Sequence, residues 1–577
     1  MNALAESSVV PARHEAPVEN RPSGPLAAAP ESRSSWTRGA VILLTLITLG
    51  SGLLNLESVI GPALPERYRL VRETFPLEFI RASRFITLVT GFALVIVSIN
   101  IRKRKKRAWQ AATFLAASSV VFHLTKGLDY EEATVSAILL ALLWWARRAF
   151  TVRSGAPDWR SRLLGLTVAG ALAAGYGVAG FWLLEPREFG LDFTIGDAIR
   201  RTFLILTFAD PGLAPKTHYA VWFLNSLHVM MASAVGYSCW QMFRPALYRF
   251  HTYPHERQRA AGLVAAHGRS TLDFFKVWPD KSFFFTPGET AFVAYRVANG
   301  FAVVLGDPVG PEEEAAAAIA GFRQYCEERD WGVAFYQAMP DFMTLYRAAG
   351  FNKLKIGDDA IVDLDRFTIE GKRGKEFRSK VNQFERVGTR TKYYEPPIDA
   401  GVLAALREVS DDWLRIPGRR ERGFTLGSFE EDYLRRTPIM TAEAADGRVL
   451  AFLNVIPGGP GESTCDLMRR RSDAPNGIMD YLFVKMFQLA KERGYRKFNL
   501  GMAPMSGFQE REEASAQERA VHAFFQHLNF LFSYKGLRAY KAKFATNWEP
   551  RFVYYHNVLD LPRLALALGK VSAMKEQ

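Results

Sequence analysis

Residues 465–486, CDLMRRRSDAPNGIMDYLFVKM, hold the passage that decides the fold. An acid, Asp466, and three arginines, Arg469 to Arg471, close an apolar strand-like run. A Pro-Asn-Gly turn then opens an apolar helix. In α/β folds the carboxyl ends of central strands are where ligands bind. Asp466 and Arg469 lie three residues apart, so a regular strand points them to opposite sides unless a bulge intervenes. A solvated charge cluster is the alternative, but the Leu-Met between the two charges points to Asp466 being partly enclosed. Arg470, Asn476 and Asp480, around the same turn, are candidates for substrate contact.

Outward from this passage the pattern repeats. "TAFVAYRVANGFAVVLGDPV" and "GVAFYQA" flank a helix at 311–329; about 140 residues later "RVLAFLNVIPG", "ESTCDLMRR", "IMDYLFVKMFQLAKERG" and "KFNLGMA" follow the same order. Two copies of strand, strand, helix, strand are an internal duplication of pattern. The pattern suits two tandem acetyltransferase-like (GNAT) folds, in which two central strands splay and an acyl donor lies in the gap. Coenzyme A, the usual donor of that fold, needs a glycine-rich turn at the next helix N-terminus. Here that turn carries one glycine and an acid in the first helical turn, so coenzyme A is not expected, nor any other cofactor.

The 577 residues also exceed one domain. Residues 1–38, rich in Ala, Pro, Ser and Glu, cannot bury a core and are expected to be disordered. Uncharged apolar runs at 39–56, 85–101, 108–125, 133–146, 163–184 and 217–243 predict an α-helical membrane domain of about six spans over 39–243. "TFLILTFADPG" at 202–212 is too short to cross and is expected to be re-entrant. "RKRKKR" at 102–107 and the Arg-rich 147–162 fall on one side and "KGLDYEE" at 126–132 on the other, which puts both termini in the cytoplasm of a multi-pass inner-membrane protein. The soluble part divides into 254–395, 396–560 and a C-terminal tail at 561–577. A net charge of +14 points to anionic partners. Cys239, Cys326 and Cys465 are scattered and no metal-ligand spacing occurs, so no metal is expected; Cys465 is read as core.

Three more stretches bear on chemistry. In "GFTLGSFEEDYL" (423–434) Ser428, Glu430 and Glu431 can open a helix, as a capping box or as a substrate site. In "NLGMAPMSGF" (499–508) Gly501 and Met502 enter a Gly/Pro loop at the same sheet edge, where a ligand can approach backbone. "YKGLRAYKAKFATNWEPRF" (534–552) interleaves Arg538, Lys541 and Lys543 with aromatics, a pattern for gripping phosphates and stacking on bases, or for a snorkelling surface.

"FTLGSFEEDYL", "DLMRR", "PNGIMDYLF", "NLGMAPMSG" and "GLRAYKAKF…WEPRF", in this order, closely resemble the aminoacyl-phosphatidylglycerol synthases, also called multiple peptide resistance factors. The resemblance covers about 255–557 and implies a form with a shortened membrane region. It implies transfer of an aminoacyl group, lysyl first among the candidates, from aminoacyl-tRNA to phosphatidylglycerol, which would lower the membrane's negative charge and its attraction for cationic antimicrobial peptides. Carried over, Asp466 and Arg469 match the family's catalytic DxxR pair and Lys541 a lysine near the same centre. Lys380, Asn382 and Arg386 in "SKVNQFERVG" match a segment for tRNA or lipid phosphate. Homo-oligomerisation stays open, as do alanyl transfer, another lipid acceptor, and a non-catalytic transporter or sensor.

The chemistry follows without the family. An aminoacyl-tRNA is an activated ester, so passing its acyl group to an alcohol is near-isoenergetic. The site must position the hydroxyl, take its proton and stabilise the oxyanion. Asp466 is a candidate base or ammonium anchor; Arg469 or Lys541 could serve the oxyanion or a phosphate.

Overall fold

The computed structural model describes residues 35–60, 77–127, 130–152, 159–183, 189, 193–207, 212–241, 248, 250, 252–372, 374–458, 460–504 and 534–573. Of the tail expected to be disordered, residues 1–34 lie outside these residues and 35–38 belong to a helix, Ser35–Ile60. Two compact units separate along the chain, residues 27–247 with 327–330, and 248–326 with 331–577.

The first unit is helical. Helices Ser35–Ile60, Leu77–Arg102, Lys106–Gly127, Tyr130–Trp145, Trp159–Leu183 and His218–Gln241 coincide with the six apolar runs, and helix Ile195–Leu206 takes up part of the piece expected to re-enter. Among the described residues one helical stretch, Gly39–Leu56, is long and apolar enough by itself to cross a membrane. The interior is mainly apolar, with Leu44, Val97, Ile101, Leu139 and Leu143 buried, but it also holds polar groups, and large apolar side chains lie outside. Thr48, Ser51, Asn55, Thr90, Ser119 and His123 are buried, while Phe114, Trp145 and Leu172 are 71%, 75% and 66% exposed. Asn55 donates to Ser119 Oγ at 3.0 Å and its Oδ1 lies 2.5 Å from His123 Nε2. Gly52 and Gly91 let their helices touch, since a Cβ on either would sit 3.0 Å from the other's carbonyl oxygen. Small residues at the crossing and polar side chains turned inward are the usual means of joining helices in lipid.

The second unit is built on one sheet of eleven strands: β1 (Ser282–Phe285), β2 (Phe292–Ala298), β3 (Phe301–Leu305), β4 (Gly332–Ala338), β5 (Asn352–Asp363), β6 (Arg390–Tyr394), β7 (Ile439–Glu443), β8 (Val449–Pro457), β9 (Glu462–Arg470), β10 (Lys497–Pro504) and β11 (Asn547–Tyr555). Their order is β1-β2-β3-β4-β11-β5-β10-β9-β8-β7-β6. The duplication is visible in the pairings. β2 and β3 are antiparallel and β3 and β4 parallel; β8 and β9 are antiparallel and β9 and β10 parallel. A helix makes each parallel crossover, Ala315–Glu327 in the first copy and Ile478–Glu492 in the second. β11, the last strand, inserts between β4 and β5 of the first copy, so the two copies share one sheet.

Central strands of such a sheet are covered on both faces, which is why β8 reads VLAFLNVIP with every residue but the last buried. One face packs on Leu403, Leu406 and Val409 of helix Ala400–Arg415 and on Leu564, Ala567 and Val571 of helix Leu561–Ser572. The other packs on Tyr481 to Phe487, Val381, Phe384 and Phe544. Residues 561–577, expected as a tail, thus begin as a helix. Its apolar positions recur at 561, 564, 567 and 571, a helical period that buries one stripe.

Candidate active site

The parallel pair β9–β10 stays in register only from Glu462↔Lys497 to Thr464↔Asn499. Thr464 Oγ1 donates to the Asn499 carbonyl at 2.6 Å and closes the last rung. Beyond it the strands part, as the acetyltransferase-like fold requires; Asp466 and Arg469 lie on β9 past this rung, and Lys541 bonds β10 at Met502.

A bulge does intervene in β9. Cys465 pairs with Val455 and Met468 with Leu453, so Asp466 and Leu467 together face the single residue Asn454. The extra residue turns Asp466 and Arg469 toward the same 410–433 segment. Asp466 accepts the Gly427 N–H on both oxygens, at 3.1 and 3.0 Å, and the Tyr433 hydroxyl at 2.8 Å. Tyr433 is held in turn by Asn454 Nδ2 at 2.8 Å, and Asn454 Oδ1 takes the Leu467 N–H at 2.8 Å. Burial pushes the Asp466 carboxyl from 3.8 up to about 6, against the pull of its two donors and of Arg469. A carboxyl poised there is ionised at neutral pH yet basic enough to take a proton.

Arg469 is 2% exposed. It grips Glu421 with Nη2 at 2.8 and 2.7 Å, donates to Ser410 Oγ, and lies 4.9 Å from the Trp413 ring centroid. Lys541, near the end of helix Tyr534–Ala542, donates to the Met502 carbonyl at 3.0 Å. Burial draws its ammonium down to about 8. Gly501 lies beside it, its φ of +79° being the left-handed conformation that favours glycine. Cys465 is buried, its thiol pushed up to about 12, and it senses both the Lys541 and the Asp466 charges. It fits the core role expected of it.

Other candidates are placed apart. Ser428 bonds the Glu430 carboxylate at 2.8 Å, and no side chain caps helix Glu431–Arg435, so the capping-box alternative does not form. Glu431 is exposed and paired with Arg407 at 2.7 Å. Asp480 is buried and takes Lys543 at 3.2 Å. Arg470 donates to the Arg471 carbonyl at 3.1 Å; Asn476 is exposed in its turn. Lys380 rests against Gly477, where the helix Ile478–Glu492 begins, while Asn382 and Arg386 face solvent. Arg538 lies 5.4 Å from the Trp548 ring centroid. The Gly/Pro loop after Pro504 lies outside the described residues.

Tyr433, Asn454, Gly427 and Glu421 were not singled out beforehand. Tyr433 stood inside a quoted stretch, but tyrosine among apolar residues signals core as readily as a carboxylate partner. Glu421 sits among arginines, where nothing local marks it as the mate of Arg469, 48 residues on.

This geometry, a parallel pair that splays beyond its last rung, with Asp466 and Arg469 on one strand and Lys541 bonded to the other, defines an acetyltransferase-like scaffold. Residues 261–555 match the family model described as phosphatidylglycerol lysyltransferase, C-terminal, and the chain belongs to that family. Over 518 residues it is 30% identical to the phosphatidylglycerol lysyltransferase of Bacillus subtilis, covering 89% of this chain and 57% of that protein. The Staphylococcus haemolyticus protein of the same name is 34% identical over 309 residues, 53% of this chain and 36% of its own length. The chain therefore spans only part of the curated relatives it matches. Among solved structures it resembles L-PGS from Bacillus licheniformis, with a TM-score of 0.50 and 35% identity over 54% of this chain and 95% of that one. A C-terminal domain of a putative lysylphosphatidylglycerol synthetase from Agrobacterium fabrum gives 0.50 and 32%, over 55% and 96%.

Proposed function

We propose that the chain transfers an aminoacyl group, lysyl by the names of its relatives, from aminoacyl-tRNA to a hydroxyl of phosphatidylglycerol. The observation that carries it is Asp466, a buried carboxyl poised near 6 just past the last β9–β10 rung, with the fixed guanidinium of Arg469 on the same strand and the buried amine of Lys541 bonded to β10. Asp466 takes the proton from the lipid hydroxyl as its oxygen attacks the ester carbonyl. The C–O bond to the tRNA ribose breaks, and Asp466 returns the proton to that ribose oxygen. One ester replaces another, so neither ATP nor a further cofactor is required. Lys541 and Arg469 supply positive charge for the oxyanion and for substrate phosphates.

The helical unit serves as a multi-span inner-membrane domain. Its outward Phe, Trp and Leu side chains and its inward Asn, Ser and His support that topology. The basic 102–107 and 147–162 stretches support a cytoplasmic catalytic unit. The product carries an added amine, which weakens the attraction of the surface for cationic peptides. The test is a lipid mass spectrum of cells expressing the chain beside an empty vector. A phosphatidylglycerol carrying the mass of a lysyl residue is expected; an alanyl mass would change the substrate. Absence of any aminoacylated lipid, with the protein present in the membrane, would overturn the proposal.

A further inference from the structure

Lys541 sits in a poor place for an ammonium. It is 7% exposed, and its Nζ donates to the Met502 carbonyl at 3.0 Å. Asp359 on β5 stands opposite Met502 of β10, whose carbonyl Lys541 bonds, and its carboxylate opposes the loss of the Lys541 proton that burial favours. Asp359 is 3% exposed. Its Oδ2 receives three donors, Arg551 Nε at 2.9 Å, Arg551 Nη2 at 2.7 Å and Asn499 Nδ2 at 3.1 Å.

The same partners hold the seat of Lys541. Asn499 Oδ1 accepts the Gly501 N–H at 2.7 Å, so the side chain that aims Asp359 also pins the left-handed glycine beside Lys541 Nζ. Strand register shifts at both neighbours of β5 here, between Asn499 and Met502 on β10 and between Arg551 and Phe552 on β11. Stability alone accounts poorly for this arrangement. A buried Asp–Arg pair generally does no better than well-packed apolar residues, and Arg551 Nη1 is buried without a hydrogen-bond partner among the described residues.

We propose that Asp359 is a positioning residue for Lys541: its carboxylate, aimed by Arg551 and Asn499, keeps the Lys541 ammonium charged and seated beside Gly501 during transfer. This rests on the reaction proposed above, with Lys541 acting as a cation. The groups facing the pair are few. β9 contributes the Cys465 thiol and Glu462, whose carboxyl burial pushes up and which Asn499 bonds at 3.0 Å. β11 contributes Arg551 and Glu549, which stands opposite Asp359 and pairs with Lys497 at 3.5 Å, and on Lys541's own helix Tyr540 precedes it. Lys543 just beyond is paired with Asp480.

The experiment is a pH–rate profile of the full chain in phosphatidylglycerol vesicles with lysyl-tRNA, corrected for enzyme-free hydrolysis of the tRNA ester. Asp359→Asn removes the negative charge, so Lys541 loses its proton sooner. The alkaline limb is expected to move down by about one pH unit or more, the usual effect of one adjacent opposite charge, with KM for the lipid unchanged and Asp359→Glu restoring the limb. Arg551→Gln removes a cation competing for Asp359 while keeping an amide donor, so its limb is expected to move up. A uniform loss in Asp359→Asn with an unmoved profile would overturn the proposal, as would limbs moving the same way in both variants. If Asp359→Asn does not reach the membrane, Arg551→Gln decides alone: an upward shift supports the proposal and an unmoved limb overturns it. A native chain that makes no aminoacylated lipid at any pH would instead sink the reaction on which the proposal rests.

Discussion

Replacing Asp466 with asparagine is expected to abolish transfer and to stabilise the protein above pH 6. The unfolded carboxyl ionises near 3.8 and the folded one near 6, because the folded chain buries it. Between those values the folded state binds more protons, so stability falls as pH rises through this window, and the loss is complete above it. Two pKa units correspond to roughly 3 kcal/mol. The variant keeps an oxygen for Gly427 and Tyr433 but adds an amide N–H2; failing to pair it costs about 1 kcal/mol or more. A net gain of about 1–2 kcal/mol at pH 8 remains, a few degrees in melting temperature for a unit of this size. At pH 4 the gain vanishes. Thermal melts of the solubilised full chain, followed by tryptophan fluorescence at pH 4 and pH 8 beside the native chain, measure it. A variant less stable than native at pH 8 would refute the burial argument and make the carboxylate a structural anchor. Undiminished lipid product would remove Asp466 from proton transfer.

Tyr433→Phe removes a hydroxyl that holds Asp466 ionised, so the acidic limb of the pH–rate profile is expected to rise by about one unit, the worth of one bond to a charged group; an unmoved limb would show that Asp466 does not set it. Arg469→Lys loses the two-point grip on Glu421 and the stacking over Trp413, and initial rates of lipid labelling are expected to fall on the order of 100-fold. A fall of only a few-fold would show that charge alone suffices. Gly427→Ala places a methyl inside contact with Asp466 Oδ2 and 2.9 Å from Tyr433 Cε1. It is expected to cost about 1–3 kcal/mol and most activity, and a native-like melt with full activity would contradict the packing described. Gly91→Leu would drive a side chain into Gly52 of the facing helix and is expected to reduce the yield of detergent-stable protein, measured by size-exclusion chromatography; an unchanged yield would contradict that helix crossing.

Local order was legible. Strand and helix succession, the duplicated pattern and the apolar runs that became helices all follow from hydrophobic period, which each segment carries in its own residues. Period also betrayed helix Leu561–Ser572, although its place at the chain's end disguised it as a tail. The charges around Asp466 stood out because apolar sequence flanks them. Asp359 carried the same signal, an acid pair inside the apolar run GDDAIVD, and went unremarked because nothing nearby named its partner.

By itself the sequence determined that an acid, an arginine and a lysine were available, that the second unit alternates strands with helices, and that much of the first is apolar throughout. Tertiary structure decided which of these residues work together. The β9 bulge opposite Asn454 turns Asp466 toward the segment that Arg469 also meets, and register depends on what the neighbouring strand offers, not on the strand's own composition. β11 inserts between β4 and β5 and carries Arg551 to Asp359, 192 residues away. Glu421 reaches Arg469 across 48 residues, and Lys541 meets Met502 across a stretch of chain outside the described residues. Contacts at such separations are chosen by the packing of the whole sheet, since no local preference distinguishes one buried partner from another until the strands are in place.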